Sequence, residues 1–151
     1  MGKIIIFDLD GVLANIEHRK HFIKNKPKNF TLFNEECDKD LPIYENINLF
    51  NKYLQDGYEC RIWSGRSNGV RQKTIDWLSL YLNLTKEEID KLLSLRPKYN
   101  FVSSDKLKLG FYEKCSREDK DKIILAIDDD PKNIKMYKSL NIPTKFIDNG
   151  E

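Results

Sequence analysis

Ile4-Ile5-Ile6-Phe7-Asp8-Leu9-Asp10-Gly11-Val12-Leu13 lies at the start of the chain and decides how the rest of it is read. Four consecutive apolar residues without alternation predict a strand buried on both faces, as in a parallel sheet. Open α/β sheets bind their ligands at the carboxyl ends of their strands, which is where Asp8 and Asp10 fall. Two carboxylates one residue apart are costly there unless something positive neutralises them. The stretch therefore points to a metal and to phosphate chemistry.

The same pattern recurs far along the chain. Ile123 to Ile127 is another unbroken apolar run, and it ends in Asp128-Asp129-Asp130. Asp130, directly before Pro131, reads as a helix N-cap with proline in the first turn. If the two strands are neighbours, Asp8, Asp10, Asp128 and Asp129 converge, and an all-oxygen set of that kind suits a hard cation such as Mg²⁺. Between them, Glu59 to Trp63 reads as a strand that ends in Ser64-Gly65-Arg66. A hydroxyl, a glycine that lets the backbone approach closely and a guanidinium suit a phosphate, although Ser-Gly is also a common turn. The 103–114 segment offers Lys106, Lys108 and Lys114 as cations to balance a phosphoryl group.

The remaining chain alternates strand-like and helix-like segments, which predicts an α/β fold with a central parallel sheet of about five strands. The first strand covers about residues 3–8. Ile43, Ile47, Phe50 and Leu54 make a helical stripe from Ile43 to Gln55, with Gly57 as the stop. Val70, Thr74, Trp77, Leu78 and Tyr81 make a second stripe, and Thr85-Lys86-Glu87-Glu88 is a capping-box pattern. Leu92 to Leu95 reads as a strand and residues 105–116 as a helix. The helix after Pro131 is expected to bury Ile134, Tyr137 and Leu140, before a last strand from Thr144 to Ile147. Residues 14–42 lack clean periodicity and read as a small, cap-like insert in a single domain over residues 1–151.

Composition narrows the class. With 151 residues, 40% apolar and 33% charged, the chain reads as a soluble globular domain. Its apolar runs are too short to span a membrane, and Met1-Gly2-Lys3 leads straight into a strand with no secretory signal. Cys37, Cys60 and Cys115 are scattered and form no Cys-x-x-Cys pair, which fits a reducing cytoplasm. A net charge of +2 does not predict strong nonspecific nucleic-acid binding. Residues 17–28, however, hold five Lys/Arg against one Glu. They read either as a solvated surface loop or as a basic flap beside an anionic substrate. No P-loop pattern is present, so a fused kinase activity is not expected.

Together these residues resemble the haloacid dehalogenase (HAD) superfamily of phosphohydrolases, with its three-layer, Rossmann-like fold. Asp8-Leu9-Asp10-Gly11-Val12-Leu13 meets the first motif, Ser64 the second, Lys108 the third and Asp128-Asp129 the fourth. The resemblance is closer to the 3′-phosphatase domain of polynucleotide kinase/phosphatase enzymes and related small phage and bacterial phosphatases. The features that carry it are His18-Arg19, Ser64-Gly65-Arg66, Thr74-x-x-Trp77-Leu78, Arg96 and Ala126-Ile127-Asp128-Asp129. Two positions depart from that branch: Asn100 stands for the usual acid and Ser104 for the first of a paired Asp.

The resemblance implies a Mg²⁺-dependent phosphomonoester hydrolase that works through an aspartyl-phosphate. Asp8 would be the nucleophile, Asp10 the acid/base, and Asp8, Asp10 (through its main-chain carbonyl), Asp128 and Asp129 the metal ligands. Ser64, Gly65 and Lys108 would hold the phosphoryl oxygens. Arg66, Arg96, His18 and Arg19 are candidate substrate contacts. The implied substrate is a nucleotide or a 3′-phosphate end of nucleic acid, with no membrane and no obligatory protein partner. Two other readings stand beside it: a nucleotide-sequestering protein without turnover, and a sugar phosphatase.

Overall fold

The computed structural model describes residues 2–149. In chain order the elements are β1 Ile4–Phe7, β2 Ala14–Asn15, α1 His21–Lys24, α2 Phe30–Glu35, β3 Leu41–Pro42, α3 Tyr44–Gln55, β4 Glu59–Ser67, α4 Arg71–Tyr81, α5 Lys86–Leu92, β5 Leu93–Arg96, α6 Ser104–Glu113, α7 Arg117–Lys122, β6 Ile123–Asp128, α8 Pro131–Ser139 and β7 Thr144–Phe146. Five strands form one sheet in the order β5-β4-β1-β6-β7, and every neighbouring pair is parallel. β2 and β3 form a separate antiparallel ribbon that closes the insert after β1. This is an α/β, Rossmann-like architecture, with helices on both faces of a five-stranded parallel sheet. Among the described residues no helix is long and apolar enough to cross a membrane.

The unbroken Ile4–Phe7 run has the physical meaning expected of it. β1 is the central strand, and alternate side chains feed two different cores. Ile5 and Phe7 pack with Ile47 and Phe50 of α3, Ile75 and Leu78 of α4 and Ile89 of α5. Ile4 and Ile6 pack with Trp63 of β4 and Met136 and Tyr137 of α8, with Leu109 and Phe111 of α6 around them. Asn46 of α3 donates from Nδ2 to Val12 O at 2.8 Å, which ties the loop after β1 to the first of these layers.

Beyond shifts of a residue at element ends, four features differ from the sequence reading. β4 continues past Trp63 to Ser67, because Ser67 pairs with Arg96 of β5 after a register shift between Trp63 and Ser67. Ser64-Gly65-Arg66 is therefore irregular strand rather than a turn after one. The helix expected over 105–116 ends at Glu113. Ser116 then caps a separate helix, α7, whose six polar residues carry no apolar period to reveal it. Leu140 caps α8 half-buried, and Met136 fills the core position instead. The capping box at Thr85–Glu88 and the Asp130 cap on α8 both form as read.

Phe50 is the test of this packing. Its ring lies 4.8 Å from that of Phe7, and it is fully buried. Phe50→Ala should lower the free energy of unfolding by about 3–5 kcal/mol, the usual cost of such a truncation. Leu80→Ala, at an exposed position, should stay within about 0.5 kcal/mol. Urea denaturation of both variants checks the contrast.

Candidate active site

A cleft of about 510 Å³ opens at the carboxyl ends of β1, β4 and β6, lined among others by Asp8, Asp10, Ser64, Gly65, Ser104 and Asp129. After β1 the chain turns sharply: Leu9 O accepts from the amides of Val12, Leu13 and Ala14 at 3.2, 2.9 and 3.0 Å. Gly11 makes the turn with φ +82°, and a Cβ there would run into the Asp129 carboxylate. Glycine is needed at this position on both counts.

Parallel pairing of β1 with β6 brings Asp8 beside Asp128 and Asp129. Ligand oxygens of these three residues all lie within 4.8 Å of one another. Lys108, delivered by α6, answers part of the charge: its Nζ donates to Asp8 Oδ1 at 2.9 Å and to Asp128 Oδ2 at 2.7 Å. Asp128 also accepts from Asp130 N at 3.0 Å and Asn133 Nδ2 at 3.1 Å, and Asp129 from Asn149 Nδ2 at 2.9 Å. Burial, reinforced by Asp128, pushes the Asp8 carboxyl well above its usual range despite Lys108. Burial also raises Asp129. Burial alone would lower the Lys108 ammonium, but Asp8 and Asp128 outweigh it and hold that group well above its usual value. One ammonium against three carboxylates leaves negative charge on an oxygen-only donor set, which is the chemistry of a hard divalent cation site.

Asp10 sits in a different field. Its Oδ1 accepts from Arg66 Nε at 2.9 Å, Arg66 Nη2 at 2.8 Å and Arg19 Nη2 at 2.9 Å. Burial alone would raise its pKa, but Arg66 and Arg19 more than offset that and hold it below its usual value. Behind the two arginines stands Asp40, which accepts from Arg19 Nε and Nη2, both at 2.7 Å, and from Arg66 Nη2 at 2.9 Å. His18 Nε2 lies 2.6 Å from Asp40 Oδ1. Arg66 Nη1 reaches Thr74 Oγ1 at 3.2 Å, and Arg19 Nη1 reaches Phe33 O at 3.0 Å. Two guanidiniums and two carboxylates form a closed, neutral network.

This corrects part of the sequence reading. Arg19 and Arg66 are 0% and 1% exposed, with their donors committed to Asp10, Asp40, Thr74 and Phe33. Both brace Asp10 from within; Arg66 also lines the cleft, whereas Arg19 does not and is no part of a solvated flap. His18 is likewise turned to Asp40. Ser64 is buried, with its Oγ accepting from Arg66 N at 3.1 Å, and Gly65 lies beside it on the cleft wall. Arg96 lies against Gly65, one of the cleft-lining residues, and donates from Nε to Gly65 O at 3.1 Å.

Two residues of the site escaped the sequence reading. Asp40 stands at the end of the aperiodic insert with no motif around it. Asn133 stands one helical turn into α8, five residues after Asp128, and its Oδ1 is buried without a partner among the described residues. Neither carries a signal in the sequence, where Asp40 follows Asp38-Lys39 and Asn133 follows Lys132.

The family model for the polynucleotide kinase PNKP phosphatase domain matches residues 2–151. Among curated proteins, none matches this sequence. A Pnkp1/Rnl/Hen1 RNA repair complex contains a chain 24% identical to this one, with a TM-score of 0.75 over 100% of this chain and 44% of that one. This chain thus spans under half the length of that relative. A class C acid phosphatase from Bacillus anthracis is 12% identical with a TM-score of 0.66, over 99% of this chain and 67% of its own. A HAD family enzyme from Bacteroides thetaiotaomicron, solved as a magnesium complex, is 16% identical with a TM-score of 0.53, over 99% and 95% of the two chains. At these identities the likeness is one of fold.

Removing Asp40 leaves two buried guanidiniums with only one shared carboxylate, Asp10, in place of two. Asp40→Ala should therefore cost roughly 3–5 kcal/mol of stability, as for breaking a buried ion pair from one side. Asp38→Ala, two residues away and exposed, should cost at most about 1 kcal/mol. Equal denaturation midpoints for the two variants would show that the network does not hold the insert.

Proposed function

Since the chain belongs to the PNKP phosphatase-domain family and is a phosphatase of the HAD superfamily, we propose that it hydrolyses phosphomonoesters through an aspartyl-phosphate on Asp8, with Mg²⁺, at a nucleotide or a 3′-phosphate end of nucleic acid. The observation that carries this reading is the grouping of Asp8, Lys108, Asp128 and Asp129, in which Asp8 and Asp129 line the cleft and Lys108 and Asp128 are buried behind them. A pure nucleotide binder gains nothing from burying a carboxylate among other carboxylates. A nucleophile facing an electropositive phosphorus does.

Asp8, Asp128 and Asp129, with the main-chain carbonyl of Asp10, are the groups that would hold magnesium. Bound there, the ion supplies positive charge to the phosphoryl oxygens and relieves repulsion among the carboxylates. Lys108, Ser64 Oγ and the Gly65 backbone hold the transferring phosphoryl group, where positioning and charge neutralisation supply most of the catalysis. An Asp8 carboxylate oxygen attacks phosphorus, and the bond from phosphorus to the leaving oxygen breaks. Water then attacks the same phosphorus and the acyl-phosphate bond breaks, which returns Asp8 and releases inorganic phosphate.

Asp10 handles the protons. Its Oδ1 is saturated by the two arginines, and Oδ2 has no partner among the described residues. Arg66 and Arg19 keep it ionised in the free enzyme, which prepares it as the base that takes a proton from the attacking water. The proton for the leaving oxygen in the first step arrives with a singly protonated phosphomonoester, whose second pKa is about 6, and passes through Asp10 Oδ2. The same two carboxylates, one residue apart, thus serve as nucleophile and proton carrier because different cations face them.

Asp8→Asn should abolish phosphate release while circular dichroism and denaturation midpoint stay those of a folded protein; full activity in that variant would sink the assignment. Asp10→Asn should lower kcat on the order of 10²–10⁴-fold, the usual worth of a positioned acid/base. Removing divalent ions with EDTA should stop turnover, and adding Mg²⁺ back should restore it and raise the thermal midpoint. A panel of 3′- and 5′-nucleotides, sugar phosphates and 3′-phosphorylated oligonucleotides separates the substrate classes. Tight nucleotide binding with no phosphate release across the panel would favour sequestration.

A further inference from the structure

Arg96 closes β5 at the edge of the sheet, next to the middle of the Ser64-Gly65-Arg66 segment. Besides the bond from Nε to Gly65 O, its Nη1 donates to Val102 O at 2.6 Å, with longer bonds to Asn100 O at 3.3 Å and Asn100 Oδ1 at 3.4 Å. Every one of these acceptors is neutral. Nη2 has no partner among the described residues. It lies 3.5 Å from the point where a side chain on Gly65 would begin, and Ser104 Oγ lies 4.0 Å from that same point. Gly65 and Ser104 both line the cleft, so the open edge of the guanidinium is set against the cleft wall.

No other half-buried or buried arginine is left this way. Arg19, Arg61, Arg66 and Arg71 each pair with a carboxylate. Burial lowers the pKa of Arg96 with no carboxylate to oppose it. The two positions where an acid was expected around it are Asn100 and Ser104. The next acid along, Asp105, accepts instead from Ser103 Oγ at 2.6 Å. A partly desolvated guanidinium without a counter-anion is costly until an anion arrives.

The loop that follows has a shape to match. Asn100 Oδ1 also accepts from Val102 N at 3.1 Å, so Arg96 and Asn100 together brace residues 97–103. On that braced loop Tyr99 and Phe101 stand 90% and 89% exposed. A fixed aromatic face beside a cation is how proteins stack a base while holding its phosphate.

Taking the phosphomonoester site to be at Asp8, as proposed above, we infer that Arg96 takes a second phosphate of the substrate, one nucleotide step from the scissile one. Two sources carry that chemistry: a nucleoside 3′,5′-bisphosphate and the internucleotide diester at a 3′-phosphorylated strand end. Both bind better than a nucleoside 3′-monophosphate, and the Tyr99 and Phe101 rings receive a base of the strand.

Asn100→Asp tests this with little change of shape. It keeps an oxygen to accept from Val102 N and supplies the carboxylate that Arg96 lacks. Binding is measured by calorimetry on Asp8→Asn protein with Mg²⁺, using a nucleoside 3′-monophosphate, a nucleoside 3′,5′-bisphosphate and a single-stranded tetranucleotide 3′-phosphate. At least one of the two ligands with a second phosphate should bind about 10- to 100-fold tighter than the monophosphate, the scale of hydrogen bonds to a charged group. Adding Asn100→Asp or Arg96→Met should bring that ratio close to one, and Arg96→Lys should keep part of it. A gain for the tetranucleotide alone identifies the strand end as the source, and a gain for the bisphosphate alone identifies the free nucleotide. A ratio near one in the parent protein, or a ratio that Asn100→Asp and Arg96→Met leave unmoved, overturns the inference. Failure of the Asp8 reading shows separately, as phosphate release from an aryl phosphate by the Asp8→Asn protein.

Discussion

Parallel pairing of β1 with β6 forces Asp8 against Asp128 and Asp129, and the rest of the molecule is arranged around that repulsion. Like charges this close, and this buried, cannot all stay ionised without cations. Lys108 answers from exactly one hundred residues away along the chain, carried in by α6 packing over β4. Asn133 and Asn149 add donors from α8 and from the segment after β7. Burial makes each of these contacts stronger, and it makes the remaining negative charge harder to leave uncompensated. The fold thus builds a site whose own residues balance its charge only in part.

Asp10, two residues further on, is placed under the opposite influence. Arg19, Arg66 and Asp40 enclose it in a neutral cluster, with Trp77 Nε1 fixing the Asp40 main chain at 2.9 Å. Three separate parts of the chain meet here: the insert after β1, the end of β4 and α4. The insert is therefore an electrostatic brace as much as a cap. Its one arginine, Arg19, points inward, because an interior carboxylate and a carboxylate at the site share it. That arrangement separates two chemically identical side chains, Asp8 pushed up and Asp10 held down, and the roles proposed for them rest on that difference.

Much of this was legible in the residues. The Ile4–Phe7 and Ile123–Ile127 runs announced buried parallel strands because alternation is absent where both faces are covered. Asp8, Asp128 and Asp129 could be placed from those runs, since a strand delivers the residue at its end to the sheet edge. α7 was not legible, because a helix of six polar residues has no apolar stripe. The inward turn of Arg19 and Arg66 was not legible either. A guanidinium next to a site looks the same in sequence whether it faces a ligand or a buried carboxylate.

By itself the sequence determined the α/β class, the order of the strands along the chain, and the residues that stand at the carboxyl edge. It could do so because periodicity and strand-end position are local properties. Which charge faces which was decided only by tertiary structure. Asp40 lies at the end of an insert without pattern, and its partners are 21 and 26 residues away. Arg96 became informative only when Asn100 and Ser104 were seen around it, leaving it without an anion. Electrostatic balance is a property of distances in space, and at this site those distances are set by packing between elements far apart in the chain.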